Sequence, residues 1–342
     1  MTKARFPTFI ALVAIVLLGA WSLACRSDAT GALQASRQAA DDSPRFSDWS
    51  EPVNLGPIVN SPFADFDPFV SKDGLSLYFA AGTARGAGCG GFDIWVLQRA
   101  SVNDPWGPAR NLGPTINTAA REDKVALSPD GHRLYFASNR PGGLGDFDLY
   151  VSRRRDKRDD FGWEPPVNLG SAINSTASEE SPVTFVEGTL YFSSNRRDPT
   201  AGGNGDFDIY ASPQLVDGTF GPAVIVEELS TVFHRDRDPA IRRDGLEIIF
   251  ASNRPGGSGG LDLWVATRAS TADIWSAPIN LGAGINTPPR PPELEQANDW
   301  SPALSFDGTT LYFASAFRAG NMSQMFDIWA ATRTKLKGSE SQ

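Results

Sequence analysis

The sequence predicts an all-β chain folded as a five-bladed β-propeller. Three observations carry that prediction: one phrase spelled five times, landmarks that keep a common spacing, and four short strand patterns in each copy. "LYFASNRPGGLGDFDLYVSRR" (134–154) returns 114 positions later as "IIFASNRPGGSGGLDLWVATR" (248–268), with 13 of 21 letters identical. Half that offset, 57, uncovers the copy between them, "LYFSSNRRDPTAGGNGDFDIYAS" (190–212). More divergent copies stand at 77–99 and 311–333. A loop repeated this often is a structural unit before it is a duplicated site.

The register is strict. A Trp or Phe opens each unit (Trp49, Trp106, Trp163, Phe220, Trp275), and 24 residues later in the first four comes an acid–Gly pair, at Asp73-Gly74, Asp130-Gly131, Glu187-Gly188 and Asp244-Gly245. The fifth pair, Asp307-Gly308, arrives eight residues late because of an insertion in "NTPPRPPELEQAND", between Asn286 and Asp299. A repeat scaffold tolerates growth confined to one loop.

The elements of one unit follow in order. In the second they are "PARNLG" (108–113), "KVALS" (124–128), "RLYFAS" (133–138) and "DLYVS" (148–152). These runs have strand composition and lie between turn residues, and no helical period appears anywhere. The acid–Gly pair makes the hairpin between the second and third runs, since Gly takes positive φ without steric cost. "SNRPGG" makes the next turn. Five such antiparallel units stack radially, each covering the face its neighbour exposes. The chain begins on a "WSEPVNLG" strand at 49–56 and ends on "FDIWAATR" at 326–333, so the first strand is expected to complete the last blade and hide its edge.

Residues 1–25 are set apart: Lys3 and Arg5 precede an apolar run ending at Ala24-Cys25, the layout of an export signal. It resembles a bacterial lipoprotein signal, which implies a lipid on Cys25, although Ser22 stands where that family prefers Leu. Residues 26–48 read as a flexible tether, 49–334 as the propeller and 335–342 as a tail. Cys89 is the only other cysteine, so no disulfide framework is implied. The formal charge of −9 becomes −11 once Lys3 and Arg5 leave with the signal, which argues against nucleic acid as a partner. "RRRDKRDD" (153–160) nearly cancels its own charge and reads as a solvated hairpin tip.

The string "E..P..S.DG..LYFASNRPGG.G.FDLY", followed by "W..PVNLG", resembles the WD40-like PD40 repeat of TolB-type periplasmic propellers over residues 49–333. The resemblance implies the fold and is nearly silent on activity.

Eight residues before each acid–Gly pair stands a carboxylate: Asp65, Glu122, Glu179, Asp236 and Asp299. Each precedes the presumed innermost strand, so the five are expected to ring one mouth of the channel. Arg140, Arg196 and Arg254 of the "SNR" turns, with Arg85 and Arg318 less well aligned, fall on the same face. One reading is a set of ion pairs tying each inner strand to its loop. The other is cation binding or general acid–base work. Arabinanase-type five-bladed glycosidases, to which the arrangement is similar, place three carboxylates near the axis on different blades. Symmetry counts against that analogy, because acid and base need unlike surroundings.

The asymmetric positions carry more information. Beside the ring acids stand Phe66, Asp123, Glu180, Arg237 and Trp300, and Asp67 and Asp238 add two carboxylates. Phe66 and Trp300, from units that meet when the ring closes, form either a binding seam beneath the 287–298 insertion or ordinary packing between blades. His132 lies on the opposite face and His234 on the acid face. Neither belongs to a nucleophile motif or a metal-ligand cluster, and no cofactor or metal is expected. "SFDGTTLYF" (305–313) departs from an Asp-box by one missing residue.

The expectation is an exported, lipid-tethered monomer of the periplasm or cell envelope. It is expected to act as a non-catalytic binding scaffold for an envelope protein or polysaccharide. The alternative is a carbohydrate-active enzyme, a glycosidase or lyase, with carboxylates at the channel mouth.

Overall fold

A computed structural model describes residues 45–336, apart from 83–84, 87, 186, 198–205, 289–290, 292–296 and 323–324. Cys25, the signal, nearly all of the tether and most of the 287–298 insertion lie outside the described residues. Among those described there is no α-helix.

The chain forms five four-stranded antiparallel sheets. After β1 (Arg45–Phe46) and β2 (Val53–Asn54), blade one comprises β3 (Asp65–Val70), β4 (Ser76–Gly82), β5 (Phe92–Gln98) and β6 (Arg110–Asn111). Blade two is β7 (Glu122–Leu127), β8 (Arg133–Ser138), β9 (Asp148–Arg153) and β10 (Val167–Asn168). Blade three is β11 (Glu179–Thr184), β12 (Leu190–Ser194), β13 (Asp208–Ser212) and β14 (Val224–Ile225). Blade four is β15 (Asp236–Ile241), β16 (Glu247–Ser252), β17 (Asp262–Thr267) and β18 (Ile279–Asn280). Blade five is β19 (Asn298–Leu304), β20 (Thr310–Ala316) and β21 (Phe326–Thr332), completed by β2.

The ring closes as the register predicts: Val53 pairs with Ala330 and Asn54 with Trp329. A second clasp has no periodic signal in the sequence. β1 pairs with β22 (Lys335–Leu336), bringing together the end of the stretch read as tether and the start of the stretch read as tail. Phe46 of β1 lies under Arg333, whose guanidinium is 3.8 Å from the ring centre.

The core lies between blades. Tyr78 and Phe136 pack at the first interface, Phe192 and Tyr135 at the second, Ile209 and Phe250 at the third, Ile249 and Phe313 at the fourth, and Leu77 and Ile328 at the closure. The opening Trp of each unit is held by the Arg that ends its blade's third strand pattern. Arg99 sits 4.2 Å over Trp106, Arg154 4.3 Å over Trp163, Arg268 4.3 Å over Trp275 and Arg333 4.2 Å over Trp49. Blade three has Pro213 and Phe220 in these places and lacks that contact. The five acid–Gly turns have Gly φ between 72° and 86°, the left-handed region that makes Gly the fitting residue there.

Every innermost strand carries a bulge at one position. Register shifts fall between Phe66 and Phe69, Asp123 and Ala126, Glu180 and Val183, Arg237 and Ala240, and Trp300 and Ala303. Two residues after the ring carboxylate the backbone is left-handed in all five blades: Asp67 (φ 55°), Lys124 (54°), Ser181 (55°), Asp238 (56°) and Ser301 (48°). For a residue with a Cβ this costs roughly 1–2 kcal/mol. A bulge kinks the strand and re-aims its side chain. Here five strained residues bring a single polar layer together at the axis.

Candidate functional site

Two layers of polar groups surround the axis. The outer is the carboxylate ring. Asp65, Glu122, Glu179, Asp236 and Asp299 are at most 1 % exposed, and each is fully engaged. Each accepts from the backbone N–H and hydroxyl of a Ser or Thr in the loop before its strand. Glu122, for example, takes Thr118 N at 2.6 Å and Thr118 Oγ1 at 2.7 Å. Each also meets its own blade's Arg: Arg85 at 3.0 Å, Arg140 at 3.2 Å, Arg196 at 3.2 Å, Arg254 at 2.6 Å and Arg318 at 3.2 Å. The same guanidinium donates to a loop carbonyl, as Arg140 does to Ile116 O at 2.7 Å and Arg254 to Leu229 O at 2.6 Å. The ring carboxylates are buried inside the wall. Their partners are those of the tying role weighed from sequence.

The inner layer is formed by the bulge residues. Lys124 Nζ lies 2.9 Å from Asp67 Oδ1, 3.0 Å from Asp238 Oδ1 and 3.1 Å from Ser301 Oγ. Ser181 Oγ donates to Asp238 at 2.5 Å, and Ser301 Oγ donates to Asp67. Residues from all five blades thus meet on the axis around one buried ammonium. Burial alone would lower the Lys124 pKa, but Asp238 and Asp67 outweigh it and hold the ammonium charged. Burial would likewise raise Asp238. Lys124 and Arg237 override it and keep that carboxyl well below the usual range.

Asp123 is the opposite case. Burial, followed by the charges of Asp67 and Glu180, pushes it up to about 7, against weaker opposition from Arg121 and Lys124. Its Oδ2 meets Arg121 at 2.9 Å, while Oδ1 has no hydrogen-bond partner among the described residues. Such an orphaned buried oxygen calls for an explanation. Beside it Glu180 pairs with Arg237 at 2.5 Å. Phe66 and Trp300 stack with centroids 5.8 Å apart, and Phe92 and Phe326 pack against them. Phe66 and Trp300 therefore meet in a packed aromatic cluster between blades five and one. Lys124 Nζ sits 4.3 Å over the Trp300 ring.

A cavity of about 650 Å³ runs along the axis, with Asp67, Lys124, Ser181, Asp238 and Ser301 as its floor. Its walls are the remainder of the inner strands, among them Pro68, Val70, Leu127, Pro182, Ile241 and Leu304. Lys72, Asp73, Asp130, His132, Lys157, Arg243 and Phe306, from the acid–Gly turns and the loops beside them, also line it. The channel therefore opens away from the carboxylate ring. Asp67 and Asp238, named from sequence, reach it. Lys124, Ser181 and Ser301 were legible only as positions in register with those two acids.

No family model matches the sequence, and no curated protein matches it. Among solved structures, a glycoside hydrolase is similar at TM-score 0.56 and 12 % identity, covering 90 % of this chain and 97 % of its own. The catalytic domain of a Coprinopsis cinerea GH62 α-L-arabinofuranosidase is similar at 0.51 and 15 %, covering 84 % and 98 %. A putative TolB from Agrobacterium tumefaciens matches at 0.47 and 18 %, covering 81 % and 80 %, too low a likeness to argue from. At these identities the first two establish the five-bladed fold. They also correct the expectation of a non-catalytic scaffold: both belong to carbohydrate-active enzymes, and they favour the alternative reading.

Proposed function

We propose that the protein is a carbohydrate-active enzyme of the glycoside-hydrolase kind, working at the axial carboxyl cluster. One observation carries the reading: within that cluster Asp123 is pushed up to about 7 while Asp238 is held well below the usual carboxylate range. Glycoside hydrolysis needs one carboxyl that keeps its proton at working pH and another that does not, and environments that push two such groups apart supply both. Asp67 and Asp238 lie at the floor of the cavity. Asp67 is also the charge that contributes most, after burial, to holding the proton on Asp123, so proton and cavity belong to one connected cluster. Lys124 keeps Asp238 ionised and holds both Asp67 and Asp238 in place. In the same reading the repeats are of the PD40 type. The enzyme is exported, tethered through an acylated Cys25, and acts on polysaccharide in or near the envelope.

The test is hydrolysis of a glycoside panel that includes α-L-arabinofuranosides, followed by reducing-end assay on the matching polysaccharides. Asn reproduces the neutral form of Asp123, so Asp123→Asn should abolish turnover without lowering the melting temperature at pH 6. A panel on which nothing is cleaved, or an Asp123→Asn variant with full activity, sinks the proposal.

A further inference from the structure

The mouth of the axial cavity is cationic in a protein whose formal charge is −9. Lys72, Lys157 and Arg243 line it, from blades one, two and four, and their side chains are exposed. Among the described residues none of the three is in an ion pair. Arg154 lines it too, but is committed to Asp160 at 2.6 Å. Phe306 of blade five gathers two of the free cations onto one ring, with Lys72 Nζ 4.4 Å and the Arg243 guanidinium 4.6 Å from its centre. Two carboxylates share the mouth, and both are taken up in their own turns. Asp73 accepts from Ser71 Oγ and Leu75 N, and Asp130 from Ser128 Oγ and His132 N. The turn acids of the other three blades, Glu187, Asp244 and Asp307, do not line the cavity.

Like charges held on one aromatic ring repel each other, and an anion between them relieves that cost. A mouth with an excess of positive charge above apolar walls also concentrates anionic ligands. From this we infer that the substrate is an acidic glycan. Its uronate carboxylates are held at the mouth by Lys72, Arg243 and Lys157, one sugar face lies against Phe306, and the chain points toward the floor. The inference rests on the enzyme reading for the sugar and on the mouth alone for the charge.

The experiment is calorimetric titration of the mature protein with trigalacturonate and with its methyl ester, the same sugar without charge. Trigalacturonate should bind, more weakly as salt rises, and the ester should bind at least about tenfold less tightly. The double variant Lys72→Ser, Arg243→Ser, whose positions are exposed and lie far from the floor, should lose that difference at an unchanged melting temperature. Equal binding of acid and ester, or a double variant that still prefers the acid, overturns the inference. Cleavage of neutral glycosides without binding of trigalacturonate overturns it as well and leaves the enzyme reading standing. Binding of trigalacturonate with no cleavage of any glycan supports the cationic mouth and removes the enzyme.

Discussion

The carboxylate ring and the bulge layer lie two residues apart on the same five strands, and they treat charge in opposite ways. In the ring all five blades solve the problem identically, with one carboxylate, one Ser or Thr cap and one Arg each. In the bulge layer the backbone is identical, left-handed in every blade, but the side chains are Asp67, Lys124, Ser181, Asp238 and Ser301. The ring closes within each blade, whereas the bulge layer closes only across blades, because Lys124 of blade two needs Asp67 of blade one and Asp238 of blade four. Repetition has built the scaffold, and departure from repetition has built the place where chemistry is possible.

The largest effect expected from separating the two falls on the ring. Asp236→Asn leaves Arg254, which is 9 % exposed, without its counter-charge. Breaking a buried pair by removing one partner costs about 3–5 kcal/mol. Chemical denaturation should show that loss, with any residual activity per folded molecule unchanged. A ring variant that keeps its stability and loses only turnover would move the ring from scaffold to catalyst.

The next largest effect should appear in the axial cluster, and it depends on pH. A carboxyl raised from 3.8 to about 7 in the folded state stays protonated there while its unfolded counterpart ionises. Its contribution to stability is therefore complete below about pH 4, falls as pH rises toward 7 and is gone above it, a change of at most about 4 kcal/mol. Asp123→Asn removes that dependence. The variant should match the wild type near pH 4 and exceed it near pH 8 when both are unfolded with urea across the range. Asp238 has the opposite sign: its contribution is present above the ordinary carboxylate pKa and is lost only as pH falls through its depressed folded value. Parallel pH profiles for the wild type and Asp123→Asn would mean that Asp123 is not held protonated.

The sequence showed the ring because symmetry writes the same letters at the same spacing, and five copies of an acid eight residues before a Gly are easy to count. It showed the closure by β2 for the same reason, since one unit lacked its fourth strand. The floor was harder to see. Asp67 and Asp238 stood out as carboxylates, but Lys124 and the two serines share their position without sharing their chemistry. What unites the five is a φ angle, which no letter states. The direction in which the cavity opens was hidden as well. It depends on which end of the inner strands is plugged, and that follows from Lys124 reaching across blades that are 57 and 114 residues away. The charge state of Asp123 is a sum over neighbours from three blades, so composition could not supply it.

The smallest effect concerns how little the ring asks of the loop that feeds it. The capping N–H lies 4 residues before the carboxylate in blade two, 5 in blade four and 12 in blade five, yet Thr118, Thr231 and Thr287 make the same contact. In blade four the extra residue is absorbed at Phe233, which takes φ 71° and is 79 % exposed. A bulky residue in that region is strained by roughly 1–2 kcal/mol, and Gly is not. Greater freedom of the unfolded chain offsets part of the relief. Phe233→Gly should therefore stabilise the protein by about 1 kcal/mol or less, and deleting Phe233, which restores the shorter spacing, should be close to neutral. Thermal unfolding of the two variants measures both. If either variant loses several kcal/mol, Phe233 holds the Thr231–Asp236 cap in place, and blade four is not the passive variant of the ring that its contacts suggest.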